Sequence, residues 1–291
     1  MKSVNRLQLE REGYCVFHKL IAEHKLKQIH AYCRQVLTNV TDEHRDFFKA
    51  QGCIADISDY PIFADVLSDA CLTELFADLA LPGYVFSSGS VISKPPMSPA
   101  LFWHQDWWGW DDAISYSERI LQVNLMIYLS PTKVENGCLR VIPGSHRRKH
   151  SLHTFDVAYG ESMCRVENPE HPLYQSWSGE QAIEVMPGDI VVKDARLLHS
   201  TYSNASDAER TLLSLNFNPD FANLPERVQA RITNIFMRDR VRKSEAELNG
   251  LIIEGWPESD KQKIRHLFPD SGHQAEPLAF NFRPDPELLL V

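Results

Sequence analysis

The sequence predicts a mostly β fold with flanking helices, organised around a jelly-roll or cupin-like barrel. Two observations favour this fold class: after Gly83, short β-rich runs alternate with turn signals, and the segments on either side show helical spacing instead. A block of about eight such runs is typical of a jelly roll. The predicted strands are Tyr84–Ser93, Leu101–Asp106, Ile120–Ser130, Cys138–Ile142, Ala182–Met186, Ile190–Lys193, Leu197–Tyr202 and Thr211–Asn218.

Pairs of residues that contain glycine separate several of these runs. Asn136-Gly137 is a strong hairpin signal, because both residues tolerate a positive φ. Pro143-Gly144 and Pro187-Gly188 suit type II turns, in which proline sets the first φ and glycine accepts the positive one. The longest interruption, residues 151–180, has little periodicity, and its aromatic side chains favour a lid over the barrel.

Helical spacing dominates the segment before the barrel. Apolar residues recur from Ala22 to Leu37 and again from Ile62 to Leu79, after one short β-like run at Gly13–Phe17. Beyond the barrel, residues 224–248 are helical in pattern and highly charged. Residues 255–291 have the composition of an irregular, proline-rich tail.

We therefore expect a single domain of 291 residues. Residues 1–83 would form a helical support, residues 84–218 the barrel core with the lid-like insertion 151–180, and residues 219–291 a C-terminal helix and tail. A chain of this length buries a substantial core without disulfides or metals to staple it.

Composition limits the class of function. The formal net charge of −9 makes nucleic acid a poor partner. The one dense basic run, residues 146–150, is either a solvated loop or a patch near the mouth of the site that attracts an anionic substrate. The six cysteines include no C-x-x-C pair and indicate free thiols in a reducing compartment.

No segment has the pattern of a signal peptide or a membrane helix. We therefore expect a cytoplasmic enzyme that acts on a small molecule, without nucleic-acid or membrane partners. The charged C-terminal helix and the proline-rich tail could pack against a second subunit, which leaves a homo-oligomer open.

The first residues with chemical potential are His104 and Asp106. Side chains at positions i and i+2 of an extended segment point the same way, so an imidazole and a carboxylate can meet at one metal. A second imidazole would complete a facial triad of two histidines and one carboxylate, the ligand set of non-haem Fe(II) oxygenases. A surface His-x-Asp pair is the simpler alternative. The tryptophans around the pair favour a walled site.

His199 and Arg210 supply the other two candidates. His199 follows an apolar strand, and taken alone it fits a buried structural histidine better than a metal ligand. Arg210 opens the last strand of the barrel, where a buried guanidinium needs an anion and can grip a carboxylate bidentately. Thr201 shares the face of His199 and can add a hydroxyl group.

The strand from Gln122 to Leu129 has two different faces. Its odd positions are aliphatic, and its even positions are Gln122, Asn124, Met126 and Tyr128. If the aliphatic face packs on helices, Gln122 and Asn124 line the ligand pocket. The alternative is that the even positions form the solvent face of a half-exposed sheet.

Together these elements resemble the phytanoyl-CoA dioxygenase family. The resemblance covers roughly residues 84–218 and rests on elements that come in the family's order. They are His104-Gln105-Asp106, the Asn-Gly and Pro-Gly-Ser-His elements within 135–146, Pro187-Gly188-Asp189, His199 and Arg210. The resemblance implies an Fe(II)- and 2-oxoglutarate-dependent dioxygenase on a double-stranded β-helix, with O2 as the second cosubstrate.

The resemblance also implies roles for individual residues. His104, Asp106 and His199 would bind iron, and Arg210 would hold the distal carboxylate of 2-oxoglutarate. The family places a hydroxyl where Thr201 stands and a residue beside the cosubstrate where Gln122 stands. Asn124 is expected to line the same pocket.

Further expectations concern the substrate side of the site. We expect the wall around the substrate to include Trp107, Trp108, Trp110 and Tyr128. Asp106 stands where halogenases of this superfamily have a small residue, so the resemblance implies hydroxylation or a related hydrogen abstraction. His146 is not expected to be a ligand.

Two other functions are weighed against this one. A non-catalytic, metal-binding cupin-like module would use the same barrel, but neither a metal ligand nor the arginine is missing from the sequence. An enzyme that modifies protein side chains would need an open mouth, which the lid and the aromatic residues disfavour.

Overall fold

The computed structural model describes residues 2–155, 161–236, 255–268 and 275–291, and within these residues two antiparallel β-sheets form the centre of the fold. The large sheet has the strand order β1-β7-β4-β9-β3-β2, and the small sheet has the order β6-β5-β8. The strands are β1 (Tyr14–Phe17), β2 (Ile54–Asp56), β3 (Val85–Lys94), β4 (Val123–Tyr128), β5 (Leu139–Val141), β6 (Gln181–Ile183), β7 (Ile190–Asp194), β8 (His199–Thr201) and β9 (Arg210–Asn218).

Strand alternation gives the large sheet two different faces. In β9, Leu213, Leu215 and Phe217 lie in the largest hydrophobic cluster, which contains the helices and which we call the outer cluster. Leu212 lies in a second cluster with residues of the small sheet, which we call the inner cluster. Because successive side chains of a strand point to opposite faces, even-numbered residues of β9 face the small sheet. We call this the inner face. The two sheets therefore enclose the interior of a barrel.

Helices and short helical turns cover the outer face of the large sheet. Their apolar side chains pack against the odd-numbered residues of β4 and β9 in the largest hydrophobic cluster. The helices on this face are α1 (Val4–Glu12), α2 (Glu23–Leu37), α4 (Ala64–Leu67), α5 (Ala70–Asp78), α7 (Glu226–Phe236) and α8 (Glu258–Ile264). Two further helices, α3 (Asp42–Phe47) and α6 (Glu161–Arg165), contribute instead to a separate cluster with Phe102 and Trp103.

The N-terminal segment contributes strands as well as helices. The run Gly13–Phe17 forms β1 as predicted and pairs with β7 at one edge of the large sheet. At the other edge β2 pairs with β3, and this strand was not predicted because Ile54–Asp56 is too short to show a period. The segment expected to be a support is thus part of the barrel wall.

The turns between strands agree with the sequence pattern. Gly137, Gly144 and Gly188 all have positive φ angles, of 84°, 82° and 88°. A side chain at Gly188 would also approach the carbonyl oxygen of Ile21 within 3.0 Å. These positions therefore require glycine.

One predicted strand is wrong. Leu101–Asp106 is not a strand: it forms only an isolated bridge between His104 and His199. The reason is that its backbone N–H groups bond to separate segments, Leu101 to the carbonyl oxygen of Thr201 and Trp103 to that of Leu173. The segment is extended, but it lacks the continuous ladder of a strand.

The C-terminal segment is more ordered than the sequence suggested. The predicted irregular tail contains α8, and Trp256, Ile264 and Leu278 are buried in the largest cluster. The charged helix predicted at 224–248 is seen as α7 up to Phe236, and its remainder lies outside the described residues.

The insertion at residues 151–180 packs against the barrel through a third hydrophobic cluster. Leu152, Cys164 and Leu173 of the insertion lie against Phe102 and Trp103, which directly precede His104. The indole Nε1 of Trp103 donates to the carbonyl oxygen of Gln175 (2.9 Å). The role of a lid stays a prediction. In the part of the chain that is described, no helix combines the length and the apolar character needed to cross a bilayer.

Candidate functional site

Two histidines and one carboxylate meet at the inner side of the small sheet. One ligand atom from each of His104, Asp106 and His199 lies within 4.8 Å of the others, a group that could hold a metal ion. The two histidines are fixed by reciprocal backbone hydrogen bonds of 3.0 Å between the extended segment and β8. The backbone N–H of Asp106 donates to the carbonyl oxygen of Ala195 (2.8 Å).

Hydrogen bonds on the far side of each ring orient the imidazoles. Nδ1 of His104 lies 2.9 Å from the carbonyl oxygen of Phe102, and Nδ1 of His199 lies 3.0 Å from that of Leu197. A carbonyl oxygen only accepts, so each Nδ1 carries the proton and each Nε2 presents its lone pair. Each Nε2 lies 3.5 Å from a different oxygen of Asp106.

The electrostatics keep these three groups in the protonation states that metals require. Burial lowers the pKa of His104, and burial together with the charge of Lys193 lowers the pKa of His199 well below its usual range. Burial alone would raise the pKa of Asp106, but Lys193 and the two imidazoles outweigh it and hold the pKa below its ordinary value. The site therefore offers two neutral imidazoles and one carboxylate.

Lys193, which no sequence motif singles out, contacts the carboxylate directly. Its Nζ donates to Oδ2 of Asp106 (2.5 Å) and to Oδ1 of Asn124 (2.8 Å), and the residue is 1% exposed. Burial lowers the pKa of Lys193, while the charge of Asp106 opposes that shift. The one available signal was a lysine directly after the apolar run Ile190–Val192.

Arg210 lies at the other end of the barrel interior. It is 1% exposed, and its Nε and Nη1 are buried without a hydrogen-bond partner among the described residues. Burial lowers its pKa, and the hydroxyl of Tyr128 acts in the opposite direction. That hydroxyl is itself buried and unpartnered within the described chain.

A second buried cation, Lys94, faces the same end. Lys94 of β3 is directly opposite Arg210 of β9 in the sheet register. Its Nζ donates to the carbonyl oxygen of Ala50 (2.8 Å) and to Oγ1 of Thr201 (3.3 Å). Burial and the charge of Arg210 lower its pKa well below the usual range. Its place after a strand and before Pro95 and Pro96 was the only signal in the sequence.

Strand β4 lies between the two ends. All of its residues are buried, which excludes the alternative of a solvent-facing sheet. Met126 and Tyr128 pack in the inner cluster, and Asn124 bonds to Lys193 on the same face. Gln122 is also buried, just before the strand, and its carbonyl oxygen accepts from the N–H of Ala195 (3.0 Å).

The three tryptophans after Asp106 lie in the outer cluster rather than in the inner one. Trp107, Trp108 and Trp110 are at most 4% exposed. Trp107 donates to Oγ of Ser115 (2.8 Å), and Trp108 stacks on Trp107 at a centroid distance of 4.9 Å. These are the surroundings of core residues, and a substrate-binding role for them stays a prediction.

The basic run also has structural partners. His146 is buried outside the metal group, with Nε2 3.2 Å from the carbonyl oxygen of Glu10. Arg147 pairs with Glu118, and Lys149 pairs with Glu287 of the C-terminal segment. Exposed pairs of this kind hold the surface together only weakly.

Comparison with known proteins agrees with this geometry. The sequence matches the family model described as Phytanoyl-CoA dioxygenase (PhyH) over residues 9–212. It is 28% identical over 137 residues to multifunctional dioxygenase ausE of Aspergillus calidoustus, covering 45% of this chain and 41% of that protein. It is 27% identical over 161 residues to phytanoyl-CoA dioxygenase 1 of Oryza sativa subsp. japonica, covering 54% and 52%. The chain spans about half the length of the curated relatives it matches.

Solved structures confirm the fold class. EctD from S. alaskensis with bound Fe superimposes with a TM-score of 0.57 at 20% identity, covering 77% of this chain and 78% of that one. HygX from Streptomyces hygroscopicus, with nickel, 2-oxoglutarate and hygromycin B bound, gives 0.53 at 15% identity, covering 76% and 88%. The predicted jelly-roll core with flanking helices is therefore confirmed.

Proposed function

The chain belongs to the phytanoyl-CoA dioxygenase family, and on that premise we propose that it is an Fe(II)- and 2-oxoglutarate-dependent dioxygenase acting on a small molecule. One observation carries the proposal: a facial set of two histidines and a carboxylate shares a barrel interior with a buried, unpartnered guanidinium. The first feature fits a metal, and the second fits the anionic end of a cosubstrate.

The donor set fits Fe(II). His104, Asp106 and His199 supply two neutral nitrogens and one carboxylate oxygen, the combination that leaves coordination positions open in non-haem iron oxygenases. When bound, the iron would supply the oxygen chemistry. The chain's own part is to fix the ligand atoms, and the carbonyl oxygens of Phe102 and Leu197 do this by holding both rings in one tautomer.

The other end fits a dicarboxylate. Thr201 and His199 are two residues apart on β8, so the hydroxyl lies about 7 Å along the strand from the metal ligand, a span suited to 2-oxoglutarate. Arg210, Lys94 and Thr201 would bind the distal carboxylate. The hydroxyl of Tyr128 interacts electrostatically with Arg210 and would lie close to the same carboxylate. A carboxylate here would neutralise the guanidinium of Arg210 and favour the charged form of Lys94, its partner on the neighbouring strand.

Asp106 argues against one type of reaction, halogenation. Its carboxylate occupies the place that a halide would need, so hydroxylation or another outcome of hydrogen abstraction is favoured over halogenation. Asn124 lies at the metal end, bonded to Lys193, so a cosubstrate contact for Gln122 and Asn124 stays a prediction. The ligands named for structural neighbours, nogalamycin RO and hygromycin B, are small molecules, which supports a small-molecule substrate for this chain.

The test is metal-dependent binding and turnover of 2-oxoglutarate. Calorimetry with the redox-inert Zn(II) should show that 2-oxoglutarate binds only to metal-loaded protein. With Fe(II) and ascorbate the protein should form succinate from 2-oxoglutarate. In His199→Ala protein we expect metal affinity to fall by at least about a hundredfold, more than for loss of a residue behind a ligand.

The matched control is His146→Ala, since His146 is also a buried histidine but lies outside the metal group. It should keep metal-dependent 2-oxoglutarate binding. Full succinate formation by His199→Ala protein would contradict the proposal. Metal binding without any effect on 2-oxoglutarate affinity would indicate a binding module instead.

A further inference from the structure

The inner face of the large sheet carries polar side chains beside the metal site. Lys193 of β7 is opposite Asn124 of β4, Asn124 is opposite Asn216 of β9, and Asn216 is opposite Ser88 of β3. We call these four residues the polar row. It crosses four neighbouring strands, and its Lys193 end contacts Asp106.

Hydrogen bonds connect the polar row from end to end. Lys193 donates to Oδ1 of Asn124, Nδ2 of Asn124 donates to Oδ1 of Asn216, and Nδ2 of Asn216 donates to Oγ of Ser88 (2.8 Å). Every bond therefore runs in the same direction. This series of hydrogen bonds ends at the hydroxyl of Ser88, whose own proton remains available to donate to a ligand.

Two more hydroxyls lie next to the row. Ser90 of β3 and Ser214 of β9 are directly opposite each other, one step further along the same face, and we call them the serine pair. Neither hydroxyl has a hydrogen-bond partner among the described residues. Ser88, Ser90, Ser214 and Asn216 all keep intermediate exposure, although this face is turned into the barrel.

Partial exposure on an inner face means that this part of the interior is open space rather than packed core. Elsewhere the same face is closed, since Leu212 and Val191 are at most 1% exposed and pack against the small sheet. The open space is lined by hydroxyl and amide groups, and it is connected to a metal ligand through Lys193. A cavity of this kind binds a ligand that forms hydrogen bonds.

We propose that the polar row and the serine pair form the substrate-binding surface, and that the substrate is a small, hydroxyl-rich molecule rather than an alkyl chain. This inference rests on the proposed function, because the surface matters for catalysis only if the metal site beside it is active. An alkyl chain would displace water from the hydroxyls of Ser90 and Ser214 without offering them a partner, and would leave the hydroxyl proton of Ser88 without an acceptor. A site built for hydroxyl groups discriminates strongly against an analogue that lacks them.

The test uses protein loaded with Zn(II) and 2-oxoglutarate, in which no turnover occurs. Saturation-transfer NMR compares three hydroxyl-rich probes, myo-inositol, glucosamine and trehalose, with decanoate as the alkyl probe. We expect at least one hydroxyl-rich probe to bind and decanoate not to bind. In the Ser90→Ala/Ser214→Ala protein the affinity for that probe should fall about tenfold, because two hydrogen bonds are lost.

The matched control is Ser93→Ala, which removes a hydroxyl from the same strand but on the opposite face, where it bonds to Glu209 and Thr211. It should leave probe affinity unchanged. Binding of decanoate alone, no binding of any hydroxyl-rich probe, or equal probe affinity in the Ser90→Ala/Ser214→Ala protein overturns the inference.

The same samples separate this inference from the proposed function. Affinity for 2-oxoglutarate is measured in each protein, and the serine substitutions should not change it, because Arg210 and Lys94 lie at the other end of the interior. Absence of metal-dependent 2-oxoglutarate binding in the unsubstituted protein would refute the proposed function. A response of the probes to the serine substitutions would still support the binding surface.

Discussion

The two ends of the barrel interior handle buried charge in opposite ways. At the metal end, Asp106 is paired with Lys193, and Lys193 has a second partner in Asn124. At the cosubstrate end, Lys94 and Arg210 face each other, and neither forms an ion pair with any described residue. The buried carboxylate at one end is neutralised within the protein, and the other end holds a guanidinium and a lysine with no anion beside them.

This difference separates preorganisation from ligand dependence. A paired carboxylate keeps its position whether or not a metal is bound, so the metal end is ready before binding. An unpaired buried guanidinium costs free energy until an anion arrives. A ligand that relieves this cost binds the folded state alone and therefore stabilises it.

The largest expected effect comes from Arg210→Met. Removal of the guanidinium should raise the dissociation constant of 2-oxoglutarate at least about a hundredfold, because charged hydrogen bonds to the carboxylate are lost. The free protein should become more stable, by about 1 kcal/mol or more, because an unpaired buried charge disappears. Calorimetry and thermal unfolding measure the two effects.

Arg140→Met is the matched control for this opposite pair of effects. Arg140 is also buried, but its guanidinium donates to Oγ of Ser200 and to the carbonyl oxygen of Tyr174, and it pairs with Glu180. Its loss should lower stability and leave 2-oxoglutarate affinity unchanged. If both substitutions destabilise the free protein, the contrast between the two ends is wrong.

At the metal end, removal of the lysine should have a smaller effect, and it should strengthen ligand binding rather than weaken it. In Lys193→Met protein, divalent metal affinity should rise about tenfold, because a cation that competes for Oδ2 of Asp106 is removed. Without metal the protein should lose about 1–2 kcal/mol of stability, less than for a fully buried pair, since the Asp106 side chain is 32% exposed. Titration with Zn(II) and chemical denaturation test this.

Lys94→Met provides the comparison, because Lys94 is a buried lysine at the other end of the same interior. This substitution should lower the affinity for 2-oxoglutarate and leave the metal affinity of the apoprotein unchanged. A drop in metal affinity for Lys193→Met would show that the lysine mainly orients the carboxylate rather than competing with the metal.

These contrasts also show what the sequence could and could not predict. The barrel was predictable because glycine turns at Gly137 and Gly188 divide runs with a strand period. His104, Asp106 and His199 could be brought together in advance, because a metal limits which residue types and spacings matter. Arg210 stood out for a related reason, since a charge that opens an apolar strand needs an explanation.

The residues that were missed depend on register between strands far apart in sequence. Lys193 acquires its role from Asn124 and Asp106, and Lys94 acquires its role from Arg210, 116 positions later. A lysine alone carries no sign of its partner. The number of tryptophans predicted a substrate wall but not their packing: Trp107 and Trp108 contact the helices and the C-terminal segment, and their role toward a substrate stays a prediction.

The smallest effect is expected from Tyr128→Phe, which tests whether the cosubstrate end extends beyond its two cations. Burial raises the pKa of Tyr128, so its hydroxyl stays protonated and can donate a hydrogen bond, yet it has no partner in the described chain. If that hydroxyl donates to the distal carboxylate, its loss should lower the affinity for 2-oxoglutarate about three- to tenfold without changing metal affinity. Tyr14→Phe is the control, because its ring lies in the same inner cluster on β1. Equal 2-oxoglutarate affinity in both variants would confine the anion site to Arg210, Lys94 and Thr201.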